Sequence, residues 1–207
     1  MACVEAIHQH DPGVPIVVVS DGLNLKLHQW TSLQPVHIVE GEKPFIYARN
    51  INIGIAAASR MHHPDGFLLL NDDAMLQTPS GFTHLAEVAE AHPEFGIVSA
   101  VTNSVGNEAQ IARNVGFREE PKMLCFVCVL VTAQAVDAVG LLDERFTAYG
   151  WEDNDYCRRC RMAGLKLGIY DLCYVDHLSL PSTFRQDPAC NIMAGAEIYH
   201  RKWGDFA

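Results

Sequence analysis

Short apolar runs alternate with amphipathic stretches along most of this chain. Residues 15–19 read as a buried strand, closed by the turn residues Ser20-Asp21-Gly22. A second strand is predicted over 36–39. Residues 50–60 carry Ile51, Ile55, Ala58 and Ser59 at helical spacing, and 66–70 form a third strand that runs into Asn71-Asp72-Asp73. Phe82, Leu85, Ala86 and Ala89 define one face of a helix over 79–91, stopped at His92-Pro93. Strands follow at 96–101 and 123–131, helices at 133–139 and 153–163, short strands at 167–170 and 173–175, and a closing helix at 191–202. Residues 102–121 are polar and weakly patterned, as functional or mobile loops are. The alternation predicts an α/β fold with a mostly parallel mixed sheet and helices on both faces. No repeat, low-complexity stretch or linker interrupts it, so a single domain over 1–207 is expected.

Composition narrows the function classes. Apolar residues make up 49% and charged residues 19% of 207, an ordinary globular balance. A formal net charge of −10 repels phosphate backbones, and the basic clusters Arg158-Arg159-Cys160-Arg161 and Arg201-Lys202 are too short to reverse this, so nucleic acid is not an expected partner. Residues 1–10 lack the basic start and apolar run of a signal peptide, and no apolar stretch approaches the ~20 residues of a membrane span. A cytoplasmic protein with free thiols is expected from seven cysteines and no secretory signal. Cys125-x-x-Cys128 and Cys157-x-x-Cys160 imitate zinc-site spacing. Residues three apart on a strand point to opposite faces, however, which favours buried thiols over a zinc centre.

The chemistry concentrates in two acidic clusters. Asp72 and Asp73 end an apolar strand, where ligands collect in open α/β sheets, and adjacent carboxylates are eased by a cation. Hard oxygen ligands suit magnesium or manganese. A solvated turn or a helix cap is the competing reading. The second cluster, Trp151-Glu152-Asp153-Asn154-Asp155, follows Gly150 and opens a helix. Helix capping accounts for one acid there, while three acids beside a tryptophan also suit a sugar stacked on the indole with a carboxylate taking its hydroxyl proton. His177 ends another short strand and reads equally as a structural histidine.

Together these segments resemble a known family. Leu70-Asn71-Asp72-Asp73 resembles the DXD motif of GT-A glycosyltransferases, and Gly140 to Phe146 (GLLDERF) through Trp151-Glu152-Asp153-Asn154-Asp155 to Arg158 resembles the family-2 pattern ending in an ED pair. Asn52-Ile53-Gly54-Ile55 is similar to the NxGi element. Tyr199 to Gly204 (YHRKWG) is similar to the tail of the rhamnosyltransferase-like branch.

The resemblance implies the GT-A (nucleotide-diphospho-sugar transferase) fold and a metal-dependent, inverting transfer of one sugar from a nucleotide-diphosphate sugar. The enzyme implied is a hexosyl- or deoxyhexosyltransferase, with a glycan, lipid-linked or protein acceptor. Asp73 would coordinate manganese or magnesium, supported by Asp72, with His177 as a further metal contact. Asp21, Asn52 and Asn71 would lie by the nucleotide sugar. Asp153 would be the general base and Glu152 would order the acceptor hydroxyl, with Trp151 and Asp155 in the acceptor pocket. Single displacement needs the base on the face of the sugar opposite the leaving diphosphate. Departures are Asn71 in place of the first acid, Ser20 in place of another, and residues 3–7 already resembling the first helix, as though the opening strand were missing. No QxxRW motif of processive synthases is present. The alternative is a reduced GT-A-like protein that binds a nucleotide sugar or glycan without turnover.

Overall fold

The computed structural model describes residues 2–20, 22, 36–61, 64–147, 150–178 and 192–204. They fall into two compact units.

The first unit holds residues 1–14, 64–140 and 157–180. Its sheet has the order β3-β7-β5-β8-β4, with β6 also on β8. The strands are β3 (Gly66–Leu70), β4 (Ala74–Leu76), β5 (Phe95–Thr102), β6 (Phe117–Glu119), β7 (Cys128–Thr132) and β8 (Lys166–His177). β5 and β8 pair in parallel, whereas β7, β4 and β6 run antiparallel to their neighbours. Every residue of β5 is buried, which explains its near-continuous apolar run.

Three helices of this unit pack on the sheet: α1 (Ala2–His10) against β4, α3 (Gly81–Ala91) against β5 and β8, and α4 (Ala133–Val139) against β7. α3 buries Phe82, Leu85 and Ala89, and a fully buried leucine such as Leu85 contributes about 2 kcal/mol. Ala86, expected on that face, is exposed instead. Ser80 precedes α3 in the left-handed region without a side-chain cap. Asp11 supplies the cap from a distance, accepting from Thr83 N at 2.8 Å and Thr83 Oγ1 at 2.9 Å.

Two stretches differ from the expected pattern. The apolar run 123–131 is a strand only from Cys128 onward; Leu124, Phe126 and Val127 are buried in irregular backbone. The two strands expected at 167–170 and 173–175 are one strand, β8, whose register on β5 jumps from Ala100↔Tyr170 to Val101↔Tyr174. That bulge breaks the sequence pattern. Asp171, at the bulge, accepts from Arg113 N, Val115 N and the Arg118 guanidinium. Buried Gln110 bonds Ser99 and both backbone groups of Cys125. The polar segment 102–121 is thus tied to the sheet by two buried side chains.

The second unit holds residues 15–63, 141–156 and 181–207. β1 (Ile16–Ser20) and β2 (Val36–Glu40) pair in parallel under α2 (Tyr47–Met61). A Cβ on Gly54 would lie 3.1 Å from Val19 Cγ2, which shows how closely the helix approaches β1. α2 buries Ile55 and Ala57, but also Asn50 and Asn52, which an apolar pattern does not detect. α6 (Ile192–Trp203) is the last described helix. In α5 (Glu152–Met162), residues 152–156 belong to this unit and 157–162 to the first. Among the described residues no helix is long and apolar enough to cross a membrane.

Candidate active site

In the first unit, β3 ends in a tight turn. Asn71 N donates to Val127 O at 2.9 Å, and Ala74 N donates back to Asn71 O at 3.1 Å, leaving Asp72 and Asp73 at the turn's centre. Asp72 is exposed and Asp73 half-buried. β4 then pairs with β8 so that Ala74 faces His177, and Leu178 N donates to Asp73 O at 2.9 Å. This register brings His177 Nε2 to 3.2 Å from Asp73 Oδ1. His177 Nδ1 lies 2.7 Å from Ser104 O, and a carbonyl only accepts, so Nδ1 carries the hydrogen. The Nε2 lone pair of the neutral ring would then face a carboxylate oxygen, an arrangement that a proton or a cation relieves. Metal-binding histidines are commonly oriented by such a carbonyl.

The donor set, one imidazole and one or two carboxylates, fits a divalent ion that completes its shell with phosphate oxygens and water. Among the described residues no group of three His, Cys, Asp or Glu side chains could hold an ion unaided. The Asn71 side chain is half-exposed at the start of the turn. Beneath it, Cys3 Sγ donates to Asn71 O at 3.7 Å. Burial, and then the charge of Asp72, push this thiol up to about 12, so it is a neutral floor to the turn.

The CxxC cysteines are occupied otherwise. Cys125 precedes β7 rather than lying within it, so the opposite-face argument does not apply to that pair. Cys157 Sγ accepts from Leu124 N at 3.4 Å, and Cys157 and Cys160 are fully buried.

In the second unit, Gly150 and Trp151 take φ of 80° and 77° in succession. A left-handed tryptophan costs on the order of 1–3 kcal/mol and needs support from its surroundings. The rings of Tyr199 and His200 supply it, with centroids 5.1 Å and 5.7 Å from that of Trp151. The turn starts α5, with Asp155 N donating to Trp151 O at 3.0 Å.

The three acids of this helix start have different surroundings. Glu152 is 9% exposed, and its Oε2 has no hydrogen-bond partner among the described residues. Burial first, and the neighbouring Asp153 charge second, push its carboxyl up to about 8, so desolvation outweighs the favourable helix dipole. Asp153 is half-buried and accepts from Asn154 N at 2.8 Å. Asp155 is fully buried, with Oδ1 2.8 Å from Trp203 Nε1 and 2.6 Å from Lys202 Nζ. Asp155 therefore anchors α6.

Asn52 is also bonded within the second unit. Its Oδ1 accepts from Leu142 N at 3.0 Å, and its Nδ2 donates to Leu142 O at 2.9 Å and Glu144 Oε1 at 3.0 Å. It pins the 141–145 segment, with both amide hydrogens in use. Its neighbour Asn50, which the sequence did not single out, is the better candidate for a ligand contact. Asn50 Oδ1 accepts from Glu42 N, while its buried Nδ2 has no partner among the described residues, near the carboxyl end of β2. An amide inside an otherwise apolar stripe was the available signal. Asp21 lies outside the described residues.

No protein-family model and no curated protein matches the chain. Solved structures do resemble it. The mannosyltransferase PcManGT from Pyrobaculum calidifontis, in complex with GDP-Man and Mn2+, has a TM-score of 0.65 at 15% identity, over 89% of this chain and 54% of that one. GalNAc-T7 with UDP, GalNAc and Mn2+ gives 0.67 at 14%, over 84% and 40%. S. aureus TarS 1-349 gives 0.62 at 11%, over 84% and 55%. The chain spans 40–55% of the length of these proteins. At such identities the likeness shows the fold alone, and this chain has the α/β GT-A fold of nucleotide-diphospho-sugar transferases, with a mixed sheet flanked by helices.

Proposed function

We propose that this single GT-A domain is a cytoplasmic, metal-dependent, inverting glycosyltransferase of the family-2 kind. It moves one hexosyl or deoxyhexosyl unit from a nucleotide-diphosphate sugar to a hydroxyl of a glycan, lipid-linked or protein acceptor. The observation that carries this reading is the Asp73–His177 pair at 3.2 Å, at the strand end of a GT-A fold. Two of the similar structures contain Mn2+, one with GDP-Man and one with UDP and GalNAc.

In this reading Asp73 and His177 hold the ion and exposed Asp72 supports it. The bound ion supplies charge to the leaving diphosphate. Asn50, Asn71 and Asp21 orient the donor. Asp153 takes the proton from the acceptor hydroxyl as the oxygen attacks the anomeric carbon. Glu152 keeps its own proton at neutral pH and offers it as a hydrogen bond, ordering the acceptor against the Trp151 face.

Release of nucleoside diphosphate tests the proposal. GDP-mannose, UDP-N-acetylgalactosamine, UDP-glucose and dTDP-rhamnose are incubated with the protein in manganese and again in EDTA. At least one donor should be turned over with manganese and not with EDTA. Binding of a donor without turnover, across a range of acceptor sugars, would instead favour a protein that only binds nucleotide sugars.

A further inference from the structure

The strongest unexplained feature of the second unit is a buried charge cluster on α6. Lys202 Nζ lies 2.6 Å from Asp155 Oδ1 and 2.7 Å from Asp143 Oδ2, and Trp203 Nε1 donates to the same Asp155 oxygen. The Asp155 side chain is wholly enclosed, and that of Lys202 is 18% exposed. Enclosed carboxylates are tolerated when a cation and further hydrogen bonds face them, as here. The Arg145 guanidinium, assisted by Lys202, holds the Asp143 carboxyl well below the usual range despite burial. Lys202 thus ties together α6, the start of α5 and the 141–145 segment.

The contacts of α6 are placed tellingly. Tyr199 and His200 pack on Trp151, while Lys202 and Trp203 hold Asp155. Glu152 and Asp153 lie between these two anchors in sequence, preceded by a residue in a costly backbone conformation. A segment held at both ends, with a strained entry, adopts one geometry only while both anchors hold.

We infer that Lys202, with Trp203, is a positioning residue that fixes the carboxyl groups of Glu152 and Asp153 by anchoring Asp155. The inference rests on the reading of Glu152 and Asp153 as the acids of the transfer site. Lys202 bonds Asp155, and it acts through that residue.

Amide hydrogen exchange tests the inference without requiring any turnover. Lys202→Met, in the folded protein, should speed exchange at Asp155 and Tyr156 by about tenfold or more, with β5 amides unchanged. Lys202→Arg should restore protection. For whichever nucleotide sugar of the donor panel the wild type uses, Lys202→Met should lower kcat on the order of a hundredfold while donor KM moves less than about threefold. Trp203→Phe removes only one hydrogen bond to Asp155 and should give a smaller loss of the same kind, which keeps the idea testable if Lys202→Met does not fold. Wild-type protection at Asp155 and Tyr156 in folded Lys202→Met, or in Trp203→Phe should the former not fold, would overturn the inference. A wild type inactive on every donor would instead count against the proposed function and leave the exchange result to decide this point.

Discussion

The two acidic segments use the same residue types in opposite ways. After β3, Asp73 is half-buried and its Oδ1 lies 3.2 Å from His177 Nε2, a ring lone pair against a carboxylate that a proton or a cation relieves. At the start of α5, Glu152 is buried beside another acid and keeps its proton to about 8. In the proposed function the first segment takes a cation and the second keeps a proton. The residue names do not convey this division; burial and the sign of the nearest partner do.

Four substitutions break or sharpen the contrast. The largest effect is expected from Asp153→Asn, which should slow sugar transfer on the order of a thousandfold while donor-induced thermal stabilisation persists. Undiminished transfer would remove Asp153 from the role of base. His177→Ala should weaken manganese binding about tenfold to a hundredfold, read by isothermal titration.

Next is Glu152→Gln. The folded protein holds the Glu152 proton to about 8, against 4.5 for an unperturbed glutamate. Between these values the folded state binds one more proton than the unfolded state, so stability falls as pH rises through the window and levels off above it. Glutamine mimics the protonated form. Melting curves should therefore show Glu152→Gln matching the wild type near pH 4 and exceeding it by on the order of a few kcal/mol near pH 9. Equal stability at both pH values would mean that Glu152 titrates normally.

The smallest effect is expected at Cys3. With its thiol pushed up to about 12, it should resist alkylation at pH 8 in the folded protein, and Cys3→Ser should leave manganese affinity within about twofold.

Much of the fold was legible because local pattern and tertiary position agree. The run 66–70 became β3 residue for residue, and the 133–139 helix carries a Thr132 cap whose side chain accepts from Ala135 N. What was not legible depended on distant partners. β4 has only three residues and exists through its pairing with β8. The bulge in β8 disguised one strand as two. Asn52 and Asp155 lie in motif segments, and their bonds to Leu142, Lys202 and Trp203 join residues far apart in the chain. The approach of His177 to Asp73 follows from a strand register that joins residues about half the chain apart, which spacing in sequence does not disclose.

The central claim is that the turn after β3 holds a divalent ion through Asp73. Electron paramagnetic resonance of manganese, titrated into the protein with and without UDP or GDP, measures this most directly. Bound ion that increases with nucleotide in the wild type and is lost in folded Asp73→Ala is the predicted result. Equal binding by the wild type and Asp73→Ala would contradict it.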